Sequence, residues 1–264
     1  MLDHTFEHII SFITARINVT RSDGSGTSIG TGFMHTTPLN DGTDRSIVLL
    51  ISNKHVYADP TSTLQIILNK KTDTGEPDYG NTQAFSKNDF SDIYYPHPDD
   101  DVDLACINAT QFSHKNVFYK NLDKKFLEPY EEKEVAPGVD VLFVGYPENR
   151  FDVVNNLPIV RKGSIASLPS IDFNGKPQMI IDAQVFQGSS GSPVFVASKN
   201  RYTLLGVVSE TMIRHSELQT LPTNHIGLGV QQILGLGLVI KYEKVIELIE
   251  SATEQFLERE KVSS

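Results

Sequence analysis

The chain has 264 residues and a formal net charge of −10, with 39% hydrophobic and 21% charged residues. This length suits one large all-β unit or two small barrels that share an interface. No block of basic residues is present, so a nucleic-acid backbone and an acidic membrane surface are not expected as partners. The single cysteine, Cys106, permits no intrachain disulfide, and a reducing, cytoplasmic compartment is expected.

The predicted elements begin with a helix over residues 1–15, because Phe6, Ile9, Ile10 and Ile13 recur at helical spacing. A first barrel is predicted over residues 16–120, with strands at 16–20, 28–34, 45–52 and 64–68. Residues 70–101 are rich in Asp, Pro and Gly, which predicts a long surface loop with one or two strands.

A mixed, charged segment at 116–134 is interpreted as a connector to a second barrel over residues 135–240. Strands are predicted there at 139–144, 159–166, 178–183, 193–196, 202–208 and 236–240. Residues 241–261 carry one apolar stripe and predict a C-terminal helix. Short strands with turn residues between them favour an all-β fold of two antiparallel barrels in a single domain.

The hexapeptide Gly-Ser-Ser-Gly-Ser-Pro at 188–193 lies between two apolar, strand-like runs. A serine hydroxyl becomes a nucleophile only when a base takes its proton and N–H groups stabilise the oxyanion that forms. Gly188, two positions before Ser190, allows the backbone to aim such N–H groups at one point. This turn is therefore a candidate for both nucleophile and oxyanion hole.

A base and an orienting acid are available elsewhere in the chain. His55 follows the apolar run at 47–51, and histidine exchanges protons near neutral pH. Asp103 lies where an acidic loop meets the short apolar strand at 104–107. Asp101 is the alternative acid, because a shift of two residues keeps the same strand face and periodicity does not choose between them.

Three short sequence motifs carry these residues: Ser-Asn-Lys-His-Val at 52–56, Asp-Leu-Ala-Cys-Ile at 103–107 and the hexapeptide at 188–193. These motifs resemble those of the chymotrypsin-like (trypsin-like) serine peptidases, especially the compact bacterial branch related to the HtrA proteases. The resemblance implies two barrels of the six-stranded type followed by a terminal helix. It also implies a His55, Asp103 and Ser190 triad, since the family's acid directly precedes Leu-Ala, and an oxyanion hole formed by the N–H groups of Gly188 and Ser190.

The chain departs from the digestive branch of the family at Ser189, where that branch has an aspartate that pairs with a new N-terminus. Activation by propeptide cleavage is therefore not expected, and the oxyanion hole must be held in another way. By resemblance, the base of the specificity pocket would lie near Gln184, with Thr211 and residues 226–229 along its walls. His225 is a further candidate for the lining, where it would read an acidic or Gln side chain. An extended substrate would pair along the strand near Ser209 and Thr211. An uncharged Gln184 does not favour cleavage after Arg or Lys.

The segment His-Thr-Phe-Glu-His at 4–8 matches a zinc-peptidase pattern, but an N-terminal helix without a third ligand is a poor metal site. No metal or organic cofactor is expected. The sequence thus predicts a serine endopeptidase that acts on polypeptide substrates through an acyl-enzyme. The alternative is a catalytically weak or inactive peptide-binding or sensor module of the same fold.

Overall fold

The computed structural model describes residues 5–113, 116–218 and 228–263. Within them, the first half contains eight strands: β1 (Thr14–Thr20), β2 (Thr27–Pro38), β3 (Ser46–Ser52), β4 (Thr63–Lys71), β5 (Pro77–Asn88), β6 (Tyr94–Pro96), β7 (Ala105–Asn108) and β8 (Val117–Phe118). The strands form one antiparallel sheet in the order β5-β4-β1-β2-β3-β7-β6, and β8 pairs with β4. The helical turn α2 (Lys54–Tyr57) follows β3.

The second half contains β9 (Asp140–Gly145), β10 (Ile159–Ile165), β11 (Gln178–Asp182), β12 (Pro193–Ser198), β13 (Arg201–Leu218) and β14 (Leu228–Lys241). These six strands close into a barrel in the order β10-β11-β14-β13-β12-β9. Helix α3 (Tyr242–Ser263) follows the last strand. The predicted fold class, all-β with two antiparallel barrels of the six-stranded type and a helix at each end, is confirmed, with a closed six-stranded barrel in the second half and an eight-stranded sheet in the first.

Several predicted regions differ in extent. Strands β13 and β14 are longer than the strands predicted at 202–208 and 236–240. Helix α1 spans only Phe6–Ile9, a 3-10 turn follows at Ile10–Phe12, and β1 then begins at Thr14 because residues from Thr14 onward pair with β2. The expected loop at 70–101 contains the 12-residue strand β5. Most of the side chains of β5 are exposed, so its sequence lacks the apolar alternation by which a strand is recognised.

Strand β3 is apolar throughout because both of its faces are buried. Val48 and Leu50 point into the core of the first sheet, together with residues of β1 and β4. Ile47, Leu49 and Ile51 point the other way, into a core that includes Phe195 and Leu204 of the second half and Leu248 of α3. This shared core fixes the end of β3, and the turn after it, against the second half of the protein.

Candidate active site

The turn after β3 brings His55 beside the residues that precede β7. The two strands are antiparallel neighbours with Ser52 opposite Ala105, so residues just beyond this pair on each strand lie close together. Nδ1 of His55 lies 2.6 Å from Oδ2 of Asp103. The backbone N–H of His55 donates to Oδ1 of the same carboxylate at 3.1 Å. Both carboxylate oxygens of Asp103 therefore face His55.

Asp103 is held from two further directions. The hydroxyl of Ser209, on β13, donates to Oδ2 of Asp103 at 3.1 Å. The side-chain amide of Asn53 donates to the main-chain carbonyl of Asp103 at 2.8 Å. Asp101 is instead exposed, and its backbone N–H donates to Asp99 within the loop. Of the two candidate acids, it is thus Asp103 whose carboxylate meets the imidazole.

Ser190 shares a cleft with His55 but turns its hydroxyl elsewhere. The Ser190 hydroxyl donates to the carbonyl oxygen of Ser209 at 3.0 Å, and the N–H of Thr31 donates to the carbonyl of Ser190 at 2.9 Å. The cleft has a volume of about 440 Å³ and is lined by Thr27, Ser28, Ile29, His55, Glu148, Asn149, Gln187, Gly188 and Ser190. A rotation of the Ser190 side chain is needed to direct its proton toward the imidazole.

The orientation of the Gln187–Gly188 peptide is fixed by a backbone hydrogen bond. The carbonyl oxygen of Gln187 accepts the N–H of Glu148 at 2.5 Å. In a trans peptide the C=O and N–H point in opposite directions, so the N–H of Gly188 points away from Glu148. In the part of the chain that the structure describes, neither this N–H nor that of Ser190 donates to a protein acceptor. Two backbone donors thus remain for a ligand in the cleft.

Gly188 is also required by its conformation. Its φ is +87°, which residues with a side chain rarely adopt, and an added Cβ would lie 2.5 Å from the carbonyl oxygen of Tyr146. The carbonyl of Gly188 accepts the hydroxyl of Thr31, at 3.0 Å. The same Thr31 oxygen accepts the N–H of Tyr146 at 3.1 Å. Thr31 belongs to the first half, so it joins the two halves directly at this turn.

Ser189 is buried within the turn, and its polar groups form hydrogen bonds to neighbouring residues of the same turn. Its N–H donates to the carbonyl of Phe186 at 3.0 Å, and its hydroxyl oxygen accepts the N–H of Phe186 at 3.4 Å. Its carbonyl accepts the N–H of Ser192 at 3.0 Å. This position therefore contributes bonds inside the turn, where the digestive branch of the family is expected to have an ion pair.

The proposed substrate-binding residues fall into different environments. Ser209 is buried and contacts both Asp103 and Ser190. Thr211 donates its hydroxyl to the carbonyl of Val185 at 2.8 Å, which ties β13 to the segment before the hexapeptide. Gln184 is exposed, and its carbonyl accepts a hydrogen bond from Arg161. His225 lies outside the described residues.

Several residues at this site were not identified from the sequence. The guanidinium of Arg161 lies 5.0 Å from the ring centres of both Phe143 and Phe186 and braces the segment before the hexapeptide. Arg16 and Asn149 meet beside the cleft. No sequence signal marks Arg16, which occupies an ordinary outward position of β1. Thr31 lies inside a Gly-Thr-Gly segment, whose two glycines are the signal that could have drawn attention to it.

Among the residues that the structure describes, no group of three or more His, Cys, Asp or Glu side chains is placed to hold a metal ion. His4, one of the two histidines of the zinc-peptidase pattern, lies outside the described residues. Nδ1 of the other, His8, lies 2.7 Å from the hydroxyl of Thr5. Helices long and apolar enough to cross a bilayer are also not found in the described ranges.

Comparison with known proteins gives a consistent result. The sequence model of the trypsin-like peptidase domain matches residues 30–207. The fold is similar to that of an HtrA-type protease, AlgW, solved with a tripeptide, with a TM-score of 0.55 and 16% identity over 93% of this chain and 62% of that chain. It is also similar to the active form of the Rv3671c protease from M. tuberculosis, with a TM-score of 0.50 and 17% identity over 92% of this chain and 82% of that one.

The chain thus spans less than two thirds of the length of the HtrA-type protease. At these identities the two structures establish a shared fold only. A search of curated proteins gives no match.

Proposed function

Because this chain belongs to the trypsin-like peptidase domain family, we propose that it is a serine endopeptidase that cleaves polypeptides through an acyl-enzyme. One observation carries the proposal. The carboxylate of Asp103 lies on Nδ1 of His55, and His55 shares a cleft with Ser190 and Gly188. The residues to which we assign the roles of nucleophile, base and oxyanion donor therefore border one cleft, which supports an acyl-transfer site.

In the proposed reaction, His55 takes the proton of Ser190 as its hydroxyl oxygen attacks the substrate carbonyl carbon. Asp103 accepts a hydrogen bond from the Nδ1–H of His55, which leaves Nε2 as the basic nitrogen and stabilises the imidazolium that forms. The second hydrogen bond to Asp103, from the Ser209 hydroxyl, keeps that carboxylate in place.

The tetrahedral intermediate places its oxyanion on the N–H groups of Gly188 and Ser190. Each such donor contributes on the order of 10²–10³ in rate in enzymes of this type. Collapse of the intermediate breaks the peptide bond, and His55 returns the proton to the leaving amine. Water then repeats the sequence on the acyl-enzyme, with His55 again as base, and regenerates the Ser190 hydroxyl.

Ser209 has a second role in the proposed cycle. Its carbonyl accepts the hydrogen bond of the Ser190 hydroxyl at 3.0 Å. We expect an extended substrate to lie along β13 near Ser209 and Thr211, with one backbone N–H directed at the Ser209 carbonyl. That N–H competes with the Ser190 hydroxyl, so substrate binding would release the hydroxyl to turn toward His55.

The test is covalent labelling with a fluorophosphonate, followed by mass spectrometry of the labelled peptide. The proposal expects one adduct, located on Ser190 rather than on Ser189 or Ser192, and its loss in Ser190→Ala. A His55→Ala variant should label far more slowly than the wild type. An adduct on another residue, or equal labelling of Ser190→Ala, would contradict the proposed nucleophile.

A peptide-binding module with little or no turnover is the second candidate. The hydrogen bond from Ser190 to Ser209, rather than to His55, favours it. This candidate predicts no labelling of the wild type at any pH while peptides still bind. Labelling that appears only with an added partner protein would instead indicate a peptidase held inactive.

We also propose a reducing, cytoplasmic location, on the basis of the single cysteine. Cys106 is buried, and burial raises the pKa of its thiol well above the ordinary value, so this residue is unsuited to a disulfide or to redox exchange. Fractionation of cells that produce the chain, with immunoblotting of each fraction, tests the location directly.

A further inference from the structure

The Glu148 N–H that holds the Gln187 carbonyl belongs to a loop with an uncommon backbone. Glu148 has a φ of +48° and Asn149 a φ of +56°, so two consecutive residues with side chains adopt the left-handed region. Asparagine tolerates this region, but glutamate does so rarely. Contacts from outside the loop must therefore hold this backbone, and through it the orientation of the Gln187–Gly188 peptide.

Those contacts come from the other half of the protein. Arg16, on β1 of the first sheet, donates from Nη1 to Oδ1 of Asn149. Its guanidinium also lies over the ring of Phe151, 4.8 Å from the ring centre. Phe151 packs edge-on against the ring of buried Tyr146, with 5.6 Å between the ring centres. Arg16 thus clamps the loop at two points on either side of Arg150.

We propose that Arg16 is a positioning residue for the oxyanion hole. By holding Asn149 and Phe151, it keeps the Glu148 N–H on the Gln187 carbonyl, and this leaves the Gly188 N–H free for an anionic oxygen. Without the clamp, the Gln187–Gly188 peptide can rotate and place a carbonyl where the donor should be. The inference rests on the proposed peptidase function. It explains how the oxyanion hole is held in a chain that has Ser189 in place of the expected aspartate.

The planar guanidinium matters for this role. It donates a directed hydrogen bond and stacks on an aromatic face at the same time, which a lysine ammonium does not reproduce. Burial lowers the pKa of Arg16, yet arginine stays protonated in proteins at neutral pH. Arg16 therefore keeps its charge and its contacts near neutral pH. Loss of these contacts should lower the rate of labelling but leave the shape of its pH profile unchanged.

The test compares Arg16→Gln, Asn149→Gly and the double variant with a conservative variant and a control. Asn149→Asp is the conservative variant, because it keeps both the acceptor and the tolerance for a positive φ. Arg45→Gln removes a different guanidinium of the first half, one that pairs with Asp41. The measurements are the second-order rate of fluorophosphonate labelling, kcat and KM for a peptide ester, the pH profile of labelling, and the thermal midpoint of unfolding.

We expect labelling and kcat to fall about tenfold or more in Arg16→Gln and Asn149→Gly, and by no more than the 10²–10³ that loss of one oxyanion donor costs. KM, the shape of the pH profile and the thermal midpoint should change little, and the double variant should be no slower than Arg16→Gln alone. Arg45→Gln should label at the wild-type rate, and Asn149→Asp, which keeps the acceptor for Arg16, should label faster than Asn149→Gly.

Unchanged labelling in both test variants would overturn the positioning role while the peptidase function stands. A shifted pH profile would overturn it as well, because Arg16 would then act through His55. If the Arg16→Gln variant does not fold, the Asn149→Gly variant still tests the positioning role. Asn149 lies on an exposed loop, where a substitution is tolerated. A wild type that does not label would overturn the proposed function, and this inference with it.

Discussion

The hydroxyl of Thr31 lies 3.0 Å from the carbonyl oxygen of Gly188, and it joins a strand of the first sheet to the turn that precedes Ser190 in the second half. The same oxygen accepts the N–H of Tyr146, so one side chain satisfies two backbone groups across the interface. Thr31 is fully buried, and buried polar groups of this kind require a hydrogen-bond partner within the protein or a buried water.

Replacing Thr31 by valine should therefore reduce both stability and activity. Loss of the hydroxyl leaves two buried backbone groups without this partner, at a cost of about 1–3 kcal/mol in the free energy of unfolding. Because one of these groups belongs to Gly188, the rate of fluorophosphonate labelling should fall with it. Urea unfolding and labelling kinetics measure the two effects.

Thr203→Val provides the matched control. Thr203 is buried as well, and its hydroxyl bonds to the carbonyls of Phe126 and Glu128, which do not line the cleft. This variant should lose similar stability and keep its labelling rate. Equal slowing in the two variants would show that Thr31 acts only through general stability.

Gly188→Ala should abolish most of the activity. An alanine Cβ would approach the carbonyl oxygen of Tyr146 to 2.5 Å, so the peptide carrying the Gly188 N–H would have to move. Removal of one oxyanion donor costs on the order of 10²–10³ in kcat. Steady-state hydrolysis of a peptide substrate is the measurement.

Gly75→Ala separates backbone strain from the local clash. Gly75 has nearly the same φ, +86°, but an added Cβ there meets nothing within 4 Å. The variant should lose some stability through the positive φ and retain normal kcat. If the two alanine variants were equally active, the tight contact beneath Gly188 would be irrelevant to the reaction.

Asp103→Asn and Asp101→Asn should differ sharply in activity. An amide at position 103 does not hold the imidazole in the productive tautomer, and in the known triad such a change lowers kcat on the order of 10⁴-fold. Asp101 is exposed and does not bond to His55, so its variant should behave like the wild type. Comparison of kcat for the two variants decides between them, and the reverse order would make Asp101 the acid.

Stability should fall as the pH is lowered below about 6.5. Burial is the main cause that lowers the pKa of both His35 and His97 from the ordinary value of 6.5. Below pH 6.5 the unfolded chain binds protons that these folded histidines do not bind, so acid favours unfolding. Each histidine contributes up to about 1.4 kcal/mol per pH unit between its folded and unfolded pKa.

His35→Asn tests this origin of the pH dependence. Nδ1 of His35 donates to the carbonyl of Leu122 at 2.7 Å, and an asparagine amide can make a similar bond without titrating. Urea unfolding at pH 5.5 and 7.5 should show a smaller stability difference in the variant than in the wild type. The same difference in both proteins would assign the acid sensitivity to other groups.

The sequence alone indicated the fold class and the three central residues of the candidate site. Strand β3 and strands β9, β11 and β12 of the second half stand out because they are largely buried and carry runs of apolar residues. The three residues His55, Asp103 and Ser190 stand out because each lies in a short polar motif directly before or after an apolar strand. Strand β5 did not stand out, since its exposed side chains follow no such pattern.

Only the tertiary structure determined how the residues of these sequence motifs contact one another. Periodicity did not distinguish Asp101 from Asp103, because only the pairing of β3 with β7 determines which carboxylate reaches the imidazole. The hydrogen bond from Ser190 to Ser209, the Thr31 bridge and the Arg16 clamp join residues that are far apart in the chain. Such contacts depend on how the two halves pack together, and no local pattern of residue types encodes that packing.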